Sequence, residues 1–241
     1  MLVTSMVAHM DIRQAVVAID GPSGSGKSST SRGVARRLGL RYLDTGAMYR
    51  AMAWFMLERG ADVTDPAAVA ALADAPTLVS TTDPSAPTIA LDGVDVSEAI
   101  RGDAVTGAVS PVAAVPEVRA RLVALQREAV AEALGEGSGI VVEGRDIGSV
   151  VLPDATAKIY LTADAAARAA RRALEDEGAG RTGDVAATAE SLAARDRIDS
   201  SRAVSPLVMA DGAVHVDGTH FTLDEVIDQV VAIVAEAAAR R

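Results

Sequence analysis

The 241-residue chain has no cysteine. That excludes disulfides, thiol nucleophiles and cysteine-ligated metals, and gives secretion no support. Histidine is nearly absent too: His9, His215 and His220 are scattered and make no metal-ligand spacing. Aromatic residues are only 2% of the chain against 49% hydrophobic, so a core must be built from Ala, Val and Leu. No apolar run approaches the ~20 residues that a membrane helix needs. Residues 1–11 lack the long apolar segment of a signal peptide, so residues 1–14 are expected to be an extension and the cytoplasm is the expected location. Positive charge is also short. The net charge is −10, which argues against a nucleic-acid polymer or an anionic membrane as partner. Lysine is almost missing, with two against 21 arginines.

One of those two lysines stands in the most informative stretch present. Gly21-Pro22-Ser23-Gly24-Ser25-Gly26-Lys27-Ser28 spells G-x-x-x-x-G-K-S directly after the apolar run Ala15–Ile19. A strand that ends in such a loop and opens into a helix is a phosphate cradle. Its glycines let successive N–H groups turn inward, and the helix dipole faces the same anion. Gly21 to Ser29 are therefore the expected ATP-phosphate residues. Lys27 would bridge the β- and γ-phosphates, and the Ser28 hydroxyl would sit on Mg²⁺. A dinucleotide fingerprint fails, because Ser29 stands where its third glycine should be. The guanine signature N/T-K-x-D fails as well, since neither lysine is followed by Asp two positions on.

The patterning predicts alternating strands and helices. Strands are expected at Val16–Asp20, Leu40–Leu43, Gly139–Glu143, Ala157–Leu161 and Ala213–Asp217. Helices are expected at Ser28–Leu38, Ala47–Arg59, Pro116–Leu134, Ala165–Glu177, Val185–Ser200 and Thr222–Arg240. Continuous apolar strands predict a parallel sheet buried on both faces. Residues 76–97 break the rhythm with short β-rich runs around Asp83–Pro87 and Asp92-Gly93, which predicts a small antiparallel meander. The fold class is thus α/β, a three-layer P-loop fold with a five-stranded parallel sheet and an antiparallel β insertion. Arginine recurs in clusters: Asp44–Arg50, Glu143–Asp146 and Arg195–Arg202. Two of these follow predicted strands, where open α/β sheets bind ligands. The guanidinium fork suits phosphate, so a second anionic site is expected.

Taken together, these stretches resemble the bacterial cytidylate (CMP/dCMP) kinases, of the P-loop nucleoside monophosphate kinase group. The similarity rests on Ile19–Ser28, Leu43–Arg50, Glu143–Gly148 and Arg195–Leu207, in that order. It implies transfer of the ATP γ-phosphoryl to CMP or dCMP by a monomer working on small nucleotides, with Mg²⁺. It implies a monophosphate-binding region over 45–137 within a core of 15–241, and a helical lid at about 168–184. Thr45, Arg50 and Arg145 match the positions that hold the acceptor phosphate, and Arg202 matches a further phosphate contact. Ser110, Arg119 and Asp146 match the cytosine-reading positions. Arg195 and Asp199 match those near the sugar. Arg171 and Arg172 match the lid arginines, which with Lys27 and Arg145 make up the implied catalytic set. Two departures stand out: Ser28-Ser29 replaces the frequent Gly-Thr, and Glu143 stands where Asp is frequent. Two other readings stay open on the residues alone: another small-molecule P-loop kinase, and a non-catalytic nucleotide-binding protein.

Overall fold

A computed structural model describes residues 11–178, 185–202 and 206–240. The expected extension at 1–10, residues 179–184 of the expected lid and residues 203–205 of the last arginine cluster lie outside them. In chain order the first half gives β1 (Val16–Asp20), α1 (Lys27–Leu38), β2 (Arg41–Asp44), α2 (Thr45–Glu58) and α3 (Pro66–Ala71). Then come β3 (Leu78–Ser80), β4 (Ile89–Leu91), β5 (Val94–Asp95), α4 (Asp103–Ala114) and α5 (Pro116–Gly135). The second half gives β6 (Ile140–Gly144), β7 (Ala157–Thr162), α6 (Ala165–Gly178), α7 (Val185–Ser201), β8 (Val214–Asp217) and α8 (Leu223–Ala239).

The main sheet has the order β2-β6-β1-β7-β8, and every pairing in it is parallel. Strand side chains alternate between faces, and the two cores follow that alternation. Val17, Ile19, Tyr42 and Val141 pack with Val34 of α1 and Val230 of α8. Ala18, Leu43, Ile140 and Val142 face Met52 of α2, Val112 of α4 and Leu122 of α5. That gives helix, sheet and helix layers, the expected class. Helices α1 and α8 meet closely at Gly33, where a Cβ would come within 2.2 Å of Ile227 Cδ1. One expectation is corrected at the sheet edge: β8 is exposed at three of its four positions, and no strand among the described residues pairs with its outer side.

The antiparallel insertion forms as expected. Strands β3, β4 and β5 make a three-stranded sheet, with Asp92 and Gly93 both at positive φ in the β4–β5 turn. Leu78, Ile89 and Leu91 belong to the same core as α2. Arg32 of α1 ties the insertion down by donating to Pro84 O and Ser85 O, at 2.9 and 3.1 Å. Helices α3 and α4 were not expected from the patterning. Helix α3 carries a readable start, an Asp65 cap followed by Pro66. Helix α4 is hidden by Gly107, Pro111 and three valines, all poor helix formers. Burial of Val105, Val109 and Val112 against α2 and α5 overrides that propensity.

Candidate active site

The carboxyl ends of β1, β2 and β6 open into one cleft of about 470 Å³. At one end lies the phosphate loop. Gly21 has φ +152°, and a Cβ there would fall 2.0 Å from Leu161 O, so the chain passes β7 only without a side chain. Gly26 at φ +88° precedes α1, and no side chain caps the helix. Its first N–H groups are therefore left for a ligand. Lys27 is buried and donates from Nζ to Pro22 O at 2.7 Å. Burial and the Arg145 cation push its pKa well below the ordinary lysine value.

Glu143 lies in the fully buried β6, one residue before its end. Its Oε2 accepts from the Ser28 hydroxyl at 3.1 Å, and its Oε1 accepts from the Tyr42 phenol. Burial, then the Asp44 charge, raises its pKa well above the carboxylate range. Thr45, at the start of α2, donates from Oγ1 to Glu143 O at 2.7 Å.

The middle of the cleft is crowded with guanidinium groups. Arg145 donates to Gly21 O at 2.7 Å and to Asp199 at 2.9 Å. Arg202 pairs with the same Asp199. Burial opposes ionisation of Asp199, yet Arg145 and Arg202 hold its pKa below the ordinary value. Arg50 donates to Ile100 O at 3.3 Å and Thr106 Oγ1 at 3.0 Å. Burial, then Arg195 and Arg172, push its pKa down to about 9. Burial, then Arg145, push Arg195 down to about 10. The Nε atoms of Arg195 and Arg202 are buried without a hydrogen-bond partner among the described residues. Among the described residues, Arg50 of α2, Arg145 just after β6, Arg172 of α6, Arg195 of α7 and Arg202 just after α7 converge around the buried carboxylate of Asp199, an arrangement that an anion would relieve.

At the far end Arg119 of α5 and Asp146 form a buried ion pair. Arg119 also donates to Ala113 O at 3.3 Å and lies 5.5 Å over the Tyr49 ring. Ser110 of α4 is buried beside them in the cleft wall. This end offers a carboxylate acceptor next to a guanidinium donor, a hydrogen-bonding pattern that suits one edge of a nucleobase.

A family model for cytidylate kinase matches residues 17–236. The chain belongs to the cytidylate kinase family. It is 57% identical to a cytidylate kinase of Streptomyces avermitilis, covering 94% of this chain and 95% of the relative. It is 59% identical to one of Streptomyces coelicolor, covering 92% and 93%. A third, from Nocardia farcinica, is 58% identical over 92% and 94%.

Most residues expected from the sequence meet in this kinase's cleft. Ser23, Gly24, Gly26, Lys27, Ser28 and Ser29 line its phosphate end. Thr45, Arg50, Arg145, Arg172, Arg195, Asp199 and Arg202 line the middle, and Ser110, Arg119 and Asp146 the far end. Gly21, Pro22 and Ser25 shape the loop from behind. Arg171 is placed elsewhere: it donates to Gly218 O at 2.5 Å and Ser25 O at 3.4 Å, bracing the outside of the loop. Sequence reasoning missed Tyr42, Tyr49, Arg101 and the clamp of Arg168 and Asp196. Asp196 pairs with Arg168 and accepts the Ser23 N–H at 3.2 Å, while Arg168 donates to Ser23 O at 3.0 Å. This clamp seats α6 and α7 on the phosphate loop. Asp196 stands inside the Arg195–Arg202 cluster, but spacing gives no sign of a partner so far away in the chain. No helix among the described residues is long and apolar enough to cross a membrane.

The pKa shifts carry a testable sign. A polyphosphate beside Lys27 and Glu143 would favour the protonated form of both. ATP binding without metal at about pH 8.5, where free ATP itself is fully ionised, is therefore expected to take up protons. Calorimetry in two buffers of different ionisation enthalpy reads this directly. Proton release would contradict the placement of the phosphates next to Lys27.

Proposed function

We propose that the protein transfers the γ-phosphoryl of ATP to CMP or dCMP, with donor and acceptor lying end to end along the cleft. The supporting observation is the order of its three parts: an uncapped phosphate loop, an arginine cluster, then a buried Arg–Asp pair. A non-catalytic nucleotide sensor has no use for the second and third. Gly21 to Ser29 cradle the donor phosphates, and Lys27 follows the phosphoryl as it moves. Thr45, Arg50, Arg145 and Arg202 hold the acceptor phosphate, Arg195 and Asp199 the sugar, and Ser110, Arg119 and Asp146 the base. Residues 45–137 form the monophosphate-binding region and about 168–184 the lid, with Arg172 reaching in from it. Arg171 acts on loop shape rather than on the phosphoryl.

No general base is required. The acceptor oxygen belongs to a monoester whose second pKa is ~6, so it is largely ionised at neutral pH. What remains is alignment of two anions and neutralisation of the moving charge. Closure of the lid on the phosphate loop would exclude water. The oxygen donors at Ser28, with Glu143 next to it, fit Mg²⁺, which favours oxygen ligands and keeps most of its coordination for water and phosphate. Such an ion would neutralise β- and γ-phosphate charge. Among the described residues no cluster of three or more acidic or histidine side chains could hold a metal alone. Its binding would therefore depend on the nucleotide.

Base choice follows from hydrogen-bond parity. Asp146 accepts from the cytosine N4 amino group and Arg119 donates to N3 or O2, whereas uracil presents O4 and N3–H. Replacing Asp146 with alanine is expected to lower the ratio of kcat/KM for CMP over UMP by roughly 5- to 150-fold, the cost of one mismatched buried polar group. KM for ATP should stay near the wild-type value. An unchanged acceptor ratio would refute this role.

A further inference from the structure

Asp20 is the last residue of β1, buried, and makes none of the ligand contacts assigned above. Its carboxylate accepts two backbone N–H groups from β6's exit loop: Ile147 at 2.8 Å on Oδ1 and Gly148 at 2.7 Å on Oδ2. These open the short helical turn Ile147–Val151, for which Asp146 is the N-cap residue. An aspartate there ordinarily spends its carboxylate on the N–H two or three residues on. In this turn Asp146 makes no such bond. Asp20 has taken the Gly148 donor from another strand, and the Asp146 carboxylate lies on Arg119 at the cleft instead. The neighbouring Gly21 carbonyl, just past β1, holds Arg145, so two consecutive residues brace both the phosphate-binding arginine and the turn that follows the base-reading carboxylate.

We infer that Asp20 is a positioning residue for base selection: by capping the 147–151 turn from a different strand, it keeps the Asp146 carboxylate turned toward the nucleobase. The inference rests on the assignment of Asp146 to the base. With Asp20 replaced by the isosteric Asn, an amide N–H₂ would face one of the two backbone donors. Asp146 would then swing back to cap its own turn. Asp20→Asn is expected to raise KM for CMP about tenfold and to cut the CMP-over-UMP ratio about fivefold, as for the loss of one charged hydrogen bond. KM for ATP should change by less than about twofold, and in an Asp146→Ala background the added substitution should move the acceptor ratio by less than about twofold, because both act through one group. Asp20→Ser, whose single short hydroxyl cannot span both backbone N–H donors, removes the same brace and should show the same selective rise in KM for CMP. It serves if Asp20→Asn does not fold. A wild-type enzyme that prefers CMP, with that ratio unchanged in Asp20→Asn, overturns the inference alone. So do equal losses in both backgrounds, or parallel rises in both KM values with a lowered Tm, the mark of a merely structural residue. A wild type that takes UMP as readily as CMP overturns the assignment of Asp146, and the inference with it.

Discussion

Lys27→Ala is expected to lower kcat with CMP by about 10³-fold, at the upper end of what one preorganised donor contributes to a charge-stabilising site. Lys27 is the ammonium at the phosphate loop, buried and already aimed along it through Pro22 O. Charge on the moving phosphoryl would then be met by backbone N–H groups, arginines and any Mg²⁺ held at Ser28, without the ammonium. The fold should survive. Burial holds the lysine's pKa down, which means that its charged form is disfavoured in the folded chain. That penalty is fully present below the folded pKa and fades as pH rises toward the ~10.4 of a free lysine. Alanine removes it at every pH. Glu143, which loses a cation, keeps its Tyr42 and Ser28 donors and can take up a proton. The Tm at neutral pH should therefore stay within about 3 °C of wild type, less than ~1 kcal/mol for a chain of this size. A coupled assay of ADP release, run beside thermal unfolding, checks both halves. Wild-type turnover in a folded Lys27→Ala protein would remove this residue from the chemistry.

Arg145→Ala should cost about 10²- to 10³-fold in kcat/KM for CMP. Arg145 stands where the two halves of the cleft meet, between the Gly21 carbonyl and Asp199 of α7. Removing it takes away a phosphate ligand and the link between phosphate loop and lid together. The loss should appear in KM for CMP and in kcat, while KM for ATP changes less. Asp199 remains paired with Arg202, so no carboxylate is left buried without a partner. Arg145→Lys should recover only about tenfold, because an ammonium cannot bridge two acceptors with a planar fork. Full recovery by lysine would show that only charge matters at this position. A loss confined to KM for ATP would place Arg145 on the donor side.

Much of this site could be read from the chain because its parts are local. The phosphate loop is eight consecutive residues whose glycines, lysine and hydroxyl each have a backbone or charge reason to be there. Strands β1 and β6 announce themselves as apolar runs because helices cover both their faces, whereas β7 alternates buried and half-buried positions. The Asp92-Gly93 turn fixes the insertion for a similar reason, since both residues need positive φ. The arginines at 50, 145, 195 and 202 were found through cluster and resemblance, and the fold supplies what spacing could not, a single cleft joining them. What stayed hidden is long-range. Asp20 caps a turn 127 residues away, Asp196 accepts from a loop 173 residues away, and Tyr42 reaches Glu143 across 101. None has a local spacing to betray it. Helix α4 was hidden for the opposite reason: its local signals, Gly107 and Pro111, are real but outweighed by burial. Arg171 shows the limit of matching lid arginines by motif. Two adjacent helix residues point about 100° apart, so of Arg171 and Arg172 the cleft receives the second.

A crystal of the enzyme soaked with CMP tests the core proposal most directly. The phosphate should lie within about 3.2 Å of guanidinium nitrogens of Arg50, Arg145 and Arg202, with the cytosine edge on Asp146 and Arg119. CMP bound outside this cleft, or lying with its base among the arginines and its phosphate toward Asp146, would contradict it.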